Sequence, residues 1–146
     1  MIAQLQLENF VVDKLTFNTA LGNDKASKGL IDVDFQVKAH AEDNNKYLLM
    51  MQVDLNKGKA FKKSGGYQIH MQILGWFKFT DELNEDAKTR MLFANAASIL
   101  FGVARTIVAQ LTGTLGQSRF ILPSVNLLEI AKRRAATLKD KQQVRG

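Results

Sequence analysis

The side chains able to do acid–base, metal or anion chemistry are few in this 146-residue chain and unevenly placed. There is no cysteine and there are two histidines, which removes disulfides, thiolate nucleophiles and cysteine-based zinc sites at once. His40 and His70 fall on the polar phase of alternating segments, where a half-exposed strand residue is expected rather than a ligand or a base. The carboxylate pairs Asp81/Glu82 and Glu85/Asp86 stand where a helical pattern begins, and negative charge is favourable at that end of a helix. No GxSxG, HExxH or glycine-rich phosphate loop occurs. The expectation is a protein that is not an enzyme and carries no metal or cofactor.

Anion binding is the remaining chemistry. The net charge is +6, and it sits in two appendages. Lys57, Lys59, Lys62 and Lys63 contribute +4 in one short loop, and residues 131–146 contribute +5, which leaves the body at −3. Nucleic-acid binders usually combine a basic face with interleaved aromatics or a known motif. Here Phe61 is the only aromatic in either segment, so a solvated hairpin tip and a solvated helix come first. An acidic protein partner or nucleic acid stay open for both.

The elements that would position these groups follow from hydrophobic period. From Ile31 to Ala41 every odd residue is apolar and every even one polar, a strand pattern. Tyr67 to Phe79 repeats it. Lys46 to Asn56 is apolar on both phases and then settles into alternation. Leu5 to Phe17 is less regular, its phase blurring at Phe10-Val11-Val12 as at a bulge or a doubly covered strand. Glu42 to Asn45 predicts a tight turn, Lys57 to Gly66 a longer hairpin loop, and Asn18 to Leu30 a polar excursion. A helical period then runs from the acidic start to Gly113 and Gly116, which are expected to end it. Pro123 breaks the crossover, and Asn126 with Glu129 reads as a variant capping box for a second, basic helix from Leu127 to about Lys141. The fold class predicted is α+β in one domain: a four-stranded antiparallel sheet with a long helix and a shorter C-terminal helix packed on one face.

The long helix is the most informative element. Between Met91 and Leu111 only Asn95, Ser98, Arg105, Thr106 and Gln110 are polar, whereas a surface helix needs an apolar stripe of roughly 100°. Another subunit, a bound client or a membrane is expected to cover the surplus. A membrane span would place Arg105 inside the hydrocarbon at a cost of roughly 2.5–3.5 kcal/mol. The N-terminus MIAQLQLENF lacks a basic region followed by an apolar core. No membrane span and a cytoplasmic location are therefore expected.

In order and spacing these segments resemble the SecB family of export chaperones over nearly the whole chain. The most specific stretch is SILFGVAR (residues 98–105) followed after a loop by LPSVNLLEI (residues 122–130), similar to the family's I-L-F-P-x-A-R helix segment and L-A-P-V-N-F turn. The resemblance implies an ATP-independent holdase for unfolded or nascent polypeptides, assembled as a tetrameric dimer of dimers with the long helices between the sheets. It places Tyr67, Ile69, Met71 and Ile73 near the subunit interfaces. It places Ile31, Val33, Phe35 and Val103 in the peptide-binding groove, although core positions would look the same in sequence.

The departures bear on partners. The family docks the SecA motor through acidic residues on the outer sheet face, and the matching positions here are Lys14, Asn18, Gln68 and His70, with no carboxylate among them. Docking of a basic partner there is unsupported, which puts SecA delivery in question. Gly102 stands where the family has a helix proline. Three functions stay open on the sequence: a SecB-like holdase with or without an export role, a dedicated chaperone of the antitoxin in a toxin–antitoxin pair, and a nucleic-acid or small apolar-ligand binder on the same fold.

Overall fold

The computed structural model describes residues 3–19, 30–57, 67–115 and 119–133. Four strands, β1 (Leu5–Thr19), β2 (Ile31–Ala39), β3 (Lys46–Leu55) and β4 (Tyr67–Phe79), form one antiparallel sheet in the order β1-β4-β3-β2. A continuous helix, α1 (Glu85–Leu115), and a short helix, α2 (residues 127–133), follow. The expected architecture is present. The basic loop and most of the basic tail, with the rest of the predicted second helix, lie outside the described residues.

Strict alternation on β4 buries Tyr67, Ile69, Met71, Ile73, Phe77 and Phe79 on the helix side. β3 adds Leu49, Met51, Val53 and Leu55, and β2 adds Val33 and Phe35. The irregular phase of β1 has a definite cause. The register against β4 slips at Glu8 and again at Asp13. Each bulge adds one residue, so the helix-side row reads Leu5, Leu7, Phe10, Val12, Leu15, Phe17 instead of every second residue. β2 stops at Ala39, two residues short of the alternating pattern, because the His40 ring accepts the N–H groups of Glu42 (3.1 Å) and Asp43 (3.0 Å) and turns the chain.

α1 starts at Asn84, whose side chain accepts the Ala87 N–H at 2.8 Å, with Glu85 and Asp86 in its first turn. A π-helical turn at Leu92–Ala96 was not foreseen from the sequence; from it Phe93 reaches Phe35, ring centroids 5.9 Å apart. Leu92, Ala96, Ala97, Leu100, Phe101, Ala104 and Val108 face the sheet. Leu100 seats against Gly75: a Cβ there would lie 3.0 Å from its Cδ1 and 2.9 Å from the Phe77 ring. Of the two glycines expected to end the helix, Gly113 lies within it and Gly116 lies outside the described residues. Gly113 lies two residues before Leu115, and its missing side chain makes room for Arg119, whose Nε would be 2.8 Å from a Cβ.

By length and mean hydropathy (1.7) α1 is sufficient to cross a membrane, and 39% of that apolar stretch is buried within the fold. The one arginine between Met91 and Leu111, Arg105, donates from Nε to the Leu122 carbonyl at 3.0 Å. The Thr112 hydroxyl accepts the Phe120 N–H at 2.8 Å. These bonds hang the crossover on the helix and bring Leu122 into the core. α2 is capped by Asn126, whose side chain accepts the Glu129 N–H at 3.0 Å, while the Glu129 carboxylate lies 3.5 Å from Arg133.

Candidate functional site

The helix side of the sheet is covered unevenly. β1 and β2 are the edges, so each keeps one row of main-chain donors and acceptors unpaired by the other described strands. At the β1 edge Phe10 and Leu15 point to the helix side yet are 42% and 43% exposed. α1 packs over β3 and β4, and its π-helical turn also reaches β1, but Phe10 and Leu15 stay uncovered. Large apolar side chains therefore border a free strand edge, the pairing that lets an added polypeptide gain apolar burial and sequence-blind backbone hydrogen bonds together.

Further apolar exposure gathers at the end of the sheet where β4 begins. Asn56, the one non-glycine described residue with positive φ (55°), ties this end together. Its amide accepts the Leu30 N–H (3.0 Å) and donates to the Tyr67 carbonyl (2.6 Å). Tyr67 stacks on Phe17 at 5.7 Å and meets Phe120 edge-on at 6.5 Å. Leu30 beside them is 70% exposed, and Ile121, next along the crossover, 54%. None of Phe10, Leu15, Leu30 or Ile121 stood out in the sequence as a site residue. The β1 phase slip was the one available signal, and it pointed to a bulge rather than to an open surface.

The residues assigned to a peptide groove separate. Val33 and Phe35 are closed in the core, whereas Ile31 and Val103 are half-buried and still accessible. Tyr67, Ile69, Met71 and Ile73, assigned to subunit contacts, are 8% exposed or less within the single chain. The exposed stripe of α1 is small or polar, with Asn95, Ser98, Gly102, Thr106 and Gln110; the exposed large apolar residues of α1 are Ile99 and, at its end, Leu115. Ser98 and Thr106 return their hydroxyls to the helix's own carbonyls, at 2.6 and 3.1 Å, so they present little unmet polarity to a neighbour.

On the outer face the four positions matched to the SecA patch share the β1/β4 surface. Asn18 donates to Gln68 at 3.1 Å. His70 is bonded through Nδ1 to Asp54 at 2.6 Å, a buried carboxylate that also accepts from Gln52 at 2.9 Å. His70 is thus the half-exposed strand residue expected, with a tie to Asp54 added, whereas His40 lies exposed just past the end of β2. Among the exposed carboxylates of this face, Asp32 and Asp34 lie across the sheet on β2 and Glu8 lies near the start of β1, away from these four positions.

The described residues thus form an antiparallel sheet backed by one long helix, with two edge strands and uncovered apolar side chains. Comparison with known proteins places this fold: the family model for preprotein translocase subunit SecB matches residues 3–137, and the chain belongs to the SecB family. An uncharacterised protein of Methanocaldococcus jannaschii is 22% identical over 125 residues, covering 84% of this chain and 79% of that protein. Among solved structures, a SecB-like chaperone of Mycobacterium tuberculosis in complex with a peptide from an antitoxin superposes with a TM-score of 0.59 at 15% identity, over 84% of this chain and 91% of that one. A Streptococcus agalactiae protein of unknown function gives a TM-score of 0.51 at 13% identity, over 82% and 97%. These likenesses support the fold.

Proposed function

We propose that this protein is an ATP-independent holdase that binds unfolded or nascent polypeptides on the helix side of its sheet. The observation that carries the reading is the pair Phe10 and Leu15, exposed on the core-facing row of an edge strand whose outer side is paired by no other described strand. Non-directional burial at about 25 cal/mol per Å² gives affinity without demanding a particular client side chain. Ile31 extends the contact surface on β2, the other edge strand, and Val103 extends it on α1, with Val33 and Phe35 as the layer beneath Ile31. The protein works in the cytoplasm, without cofactor and without catalysis.

The working form is a tetramer, a dimer of dimers, in which α1 meets a neighbour along its small-residue stripe. The shallow hollow at Ala87, Met91 and Ala94, about 420 Å³, continues that stripe toward the helix start. Tyr67, Ile69, Met71 and Ile73 form the layer under the subunit contacts. The test of function is suppression of aggregation of a chemically unfolded client without ATP, with the folded client as control. Holding the unfolded form alone supports the proposal, and holding neither sinks it.

A second reading, service to one antitoxin, draws on two observations. The structurally similar Mycobacterium tuberculosis protein is bound to a peptide from an antitoxin, and Lys14, Asn18, Gln68 and His70 offer no carboxylate for SecA docking. Tight binding of an antitoxin segment encoded beside this chain, together with weak general holding, would favour it.

A further inference from the structure

The outer face of the sheet bears an apolar strip that client holding on the helix side leaves unused. Leu48 stands directly across from Trp76, and Met50 from Leu74, which in turn faces Val11. Trp76 is 37% and Val11 44% exposed. At the Trp76 end a groove of about 620 Å³ opens, with Glu8, Lys38, His40, Lys46, Leu48 and Trp76 in its lining. Lys46 lies directly opposite Lys78 on the neighbouring strand. Like charges at facing positions repel, and among the described residues Lys38, Lys46 and Lys78 have no ion-pair partner. Glu8 is the one carboxylate lining the groove, and Asp32 and Asp34 lie toward the far end of β2. The Lys14, Asn18, Gln68 and His70 surface sits at the opposite end of β1 and β4.

We propose that this groove docks a short acidic segment of another protein that carries large apolar side chains. Leu48 and Trp76 receive an aliphatic or aromatic side chain, and the three lysines meet the flanking carboxylates. Charge complementarity selects the occupant. The chain's own segments outside the described residues cannot supply it, since 20–29, 58–66 and 134–146 are each net basic. A second copy would set the same lysines against each other. A nucleic-acid backbone would run from the lysines into Glu8 or toward Asp32 and Asp34, where phosphates are repelled.

Trp76 is the only tryptophan, so its emission reports this groove and not the helix-side surface. The experiment titrates the full chain with a synthetic 12-residue peptide of Glu, Asp, Leu and Phe. A Lys-for-acid counterpart and a single-stranded RNA oligonucleotide serve as alternative probes. A saturable blue shift of Trp76 with the acidic peptide alone is expected. It should weaken at least roughly tenfold when salt rises from about 0.05 to 0.5 M, as screening requires. The variant Lys38→Glu/Lys46→Glu should weaken binding by a similar factor, with its far-UV spectrum and holding of unfolded client unchanged. Lys38→Glu alone, on an edge strand, keeps the test usable should the double variant misfold. Unmoved emission at millimolar peptide, an equal response from the Lys-for-acid peptide, or a response to the oligonucleotide only would overturn the proposal. So would charge-reversed chains that titrate like the parent.

Discussion

The Nε of Arg105 donates to the carbonyl of Leu122 across 3.0 Å. The one cation in the apolar stretch of α1 thus acts locally. It holds the crossover after α1 against the helix, so that Leu122 fills the core. Arg105→Met keeps the aliphatic stem and removes the donor. Hydrogen bonds to charged groups contribute about 1.5–3 kcal/mol, so a loss in that range is expected in urea unfolding, together with greater binding of an apolar dye as the crossover detaches. Arg105→Lys should recover only part of it, because an ammonium cannot reproduce the guanidinium's fixed geometry. Wild-type stability in the methionine variant would show that the bond contributes nothing.

Coverage separates two pairs of apolar residues that alternation alone treats alike. Phe10→Ser/Leu15→Ser removes exposed side chains and should reduce holding of unfolded client at least several-fold, with the thermal midpoint nearly unchanged. Val33→Ser/Phe35→Ser empties the core where Phe35 meets Phe93. Large-to-small core changes cost roughly 2–5 kcal/mol each, so this double variant is expected to unfold. The comparison is a circular-dichroism melt beside an aggregation assay. A folded Val33/Phe35 variant with lost holding would move the client surface to β2.

Two glycines should respond with opposite sign. Gly75→Val places a side chain within 3.0 Å of Leu100 and lifts α1 from the sheet; overpacking of this kind costs about 1–3 kcal/mol. Gly102 has nothing within 4 Å, and Gly102→Ala should raise protomer stability by up to about 1 kcal/mol. Gly102→Leu also fits the protomer but would obstruct a neighbour packed on this stripe. Its light-scattering mass should fall below that of the tetramer while the far-UV spectrum holds. An unchanged mass would remove α1 from the subunit contact.

Burial, helped by the negative charge of Glu85, holds the Tyr47 phenol above the usual tyrosine value of 10.0. The folded protein therefore favours the neutral phenol more strongly than the unfolded chain does. That contribution is complete below about pH 10 and is lost as pH rises through the folded value. Tyr47→Phe cannot ionise, so its melting temperature should fall less steeply than that of the parent above about pH 10. Parallel alkaline limbs for the two proteins would refute the assignment.

The fold was largely legible in the sequence, because alternation on β2 and β4 reports which side chains share a face. Asn126, followed by a helical period, announced where α2 begins, whereas the start of α1 was legible only through the acidic pairs from Asp81 to Asp86, and its cap Asn84 was supplied by the structure. The β1 row was legible only as a blur at Phe10-Val11-Val12, since a bulge changes the phase without changing composition. The His40 turn and the Gly113–Arg119 approach are contacts between local geometry and a particular rotamer, and no period encodes them.

Sequence therefore determined the α+β class, the four-strand and helix order, the absence of thiol chemistry and the likeness to the SecB family. Tertiary structure decided which apolar residues are covered. Phe10, Leu15, Val33 and Phe35 are equivalent in type and face, yet the placement of α1 over β3 and β4 leaves the first two exposed, while Phe93 and the core close over the last two. Burial depends on where a distant helix lies, and a pattern of near neighbours carries no record of that.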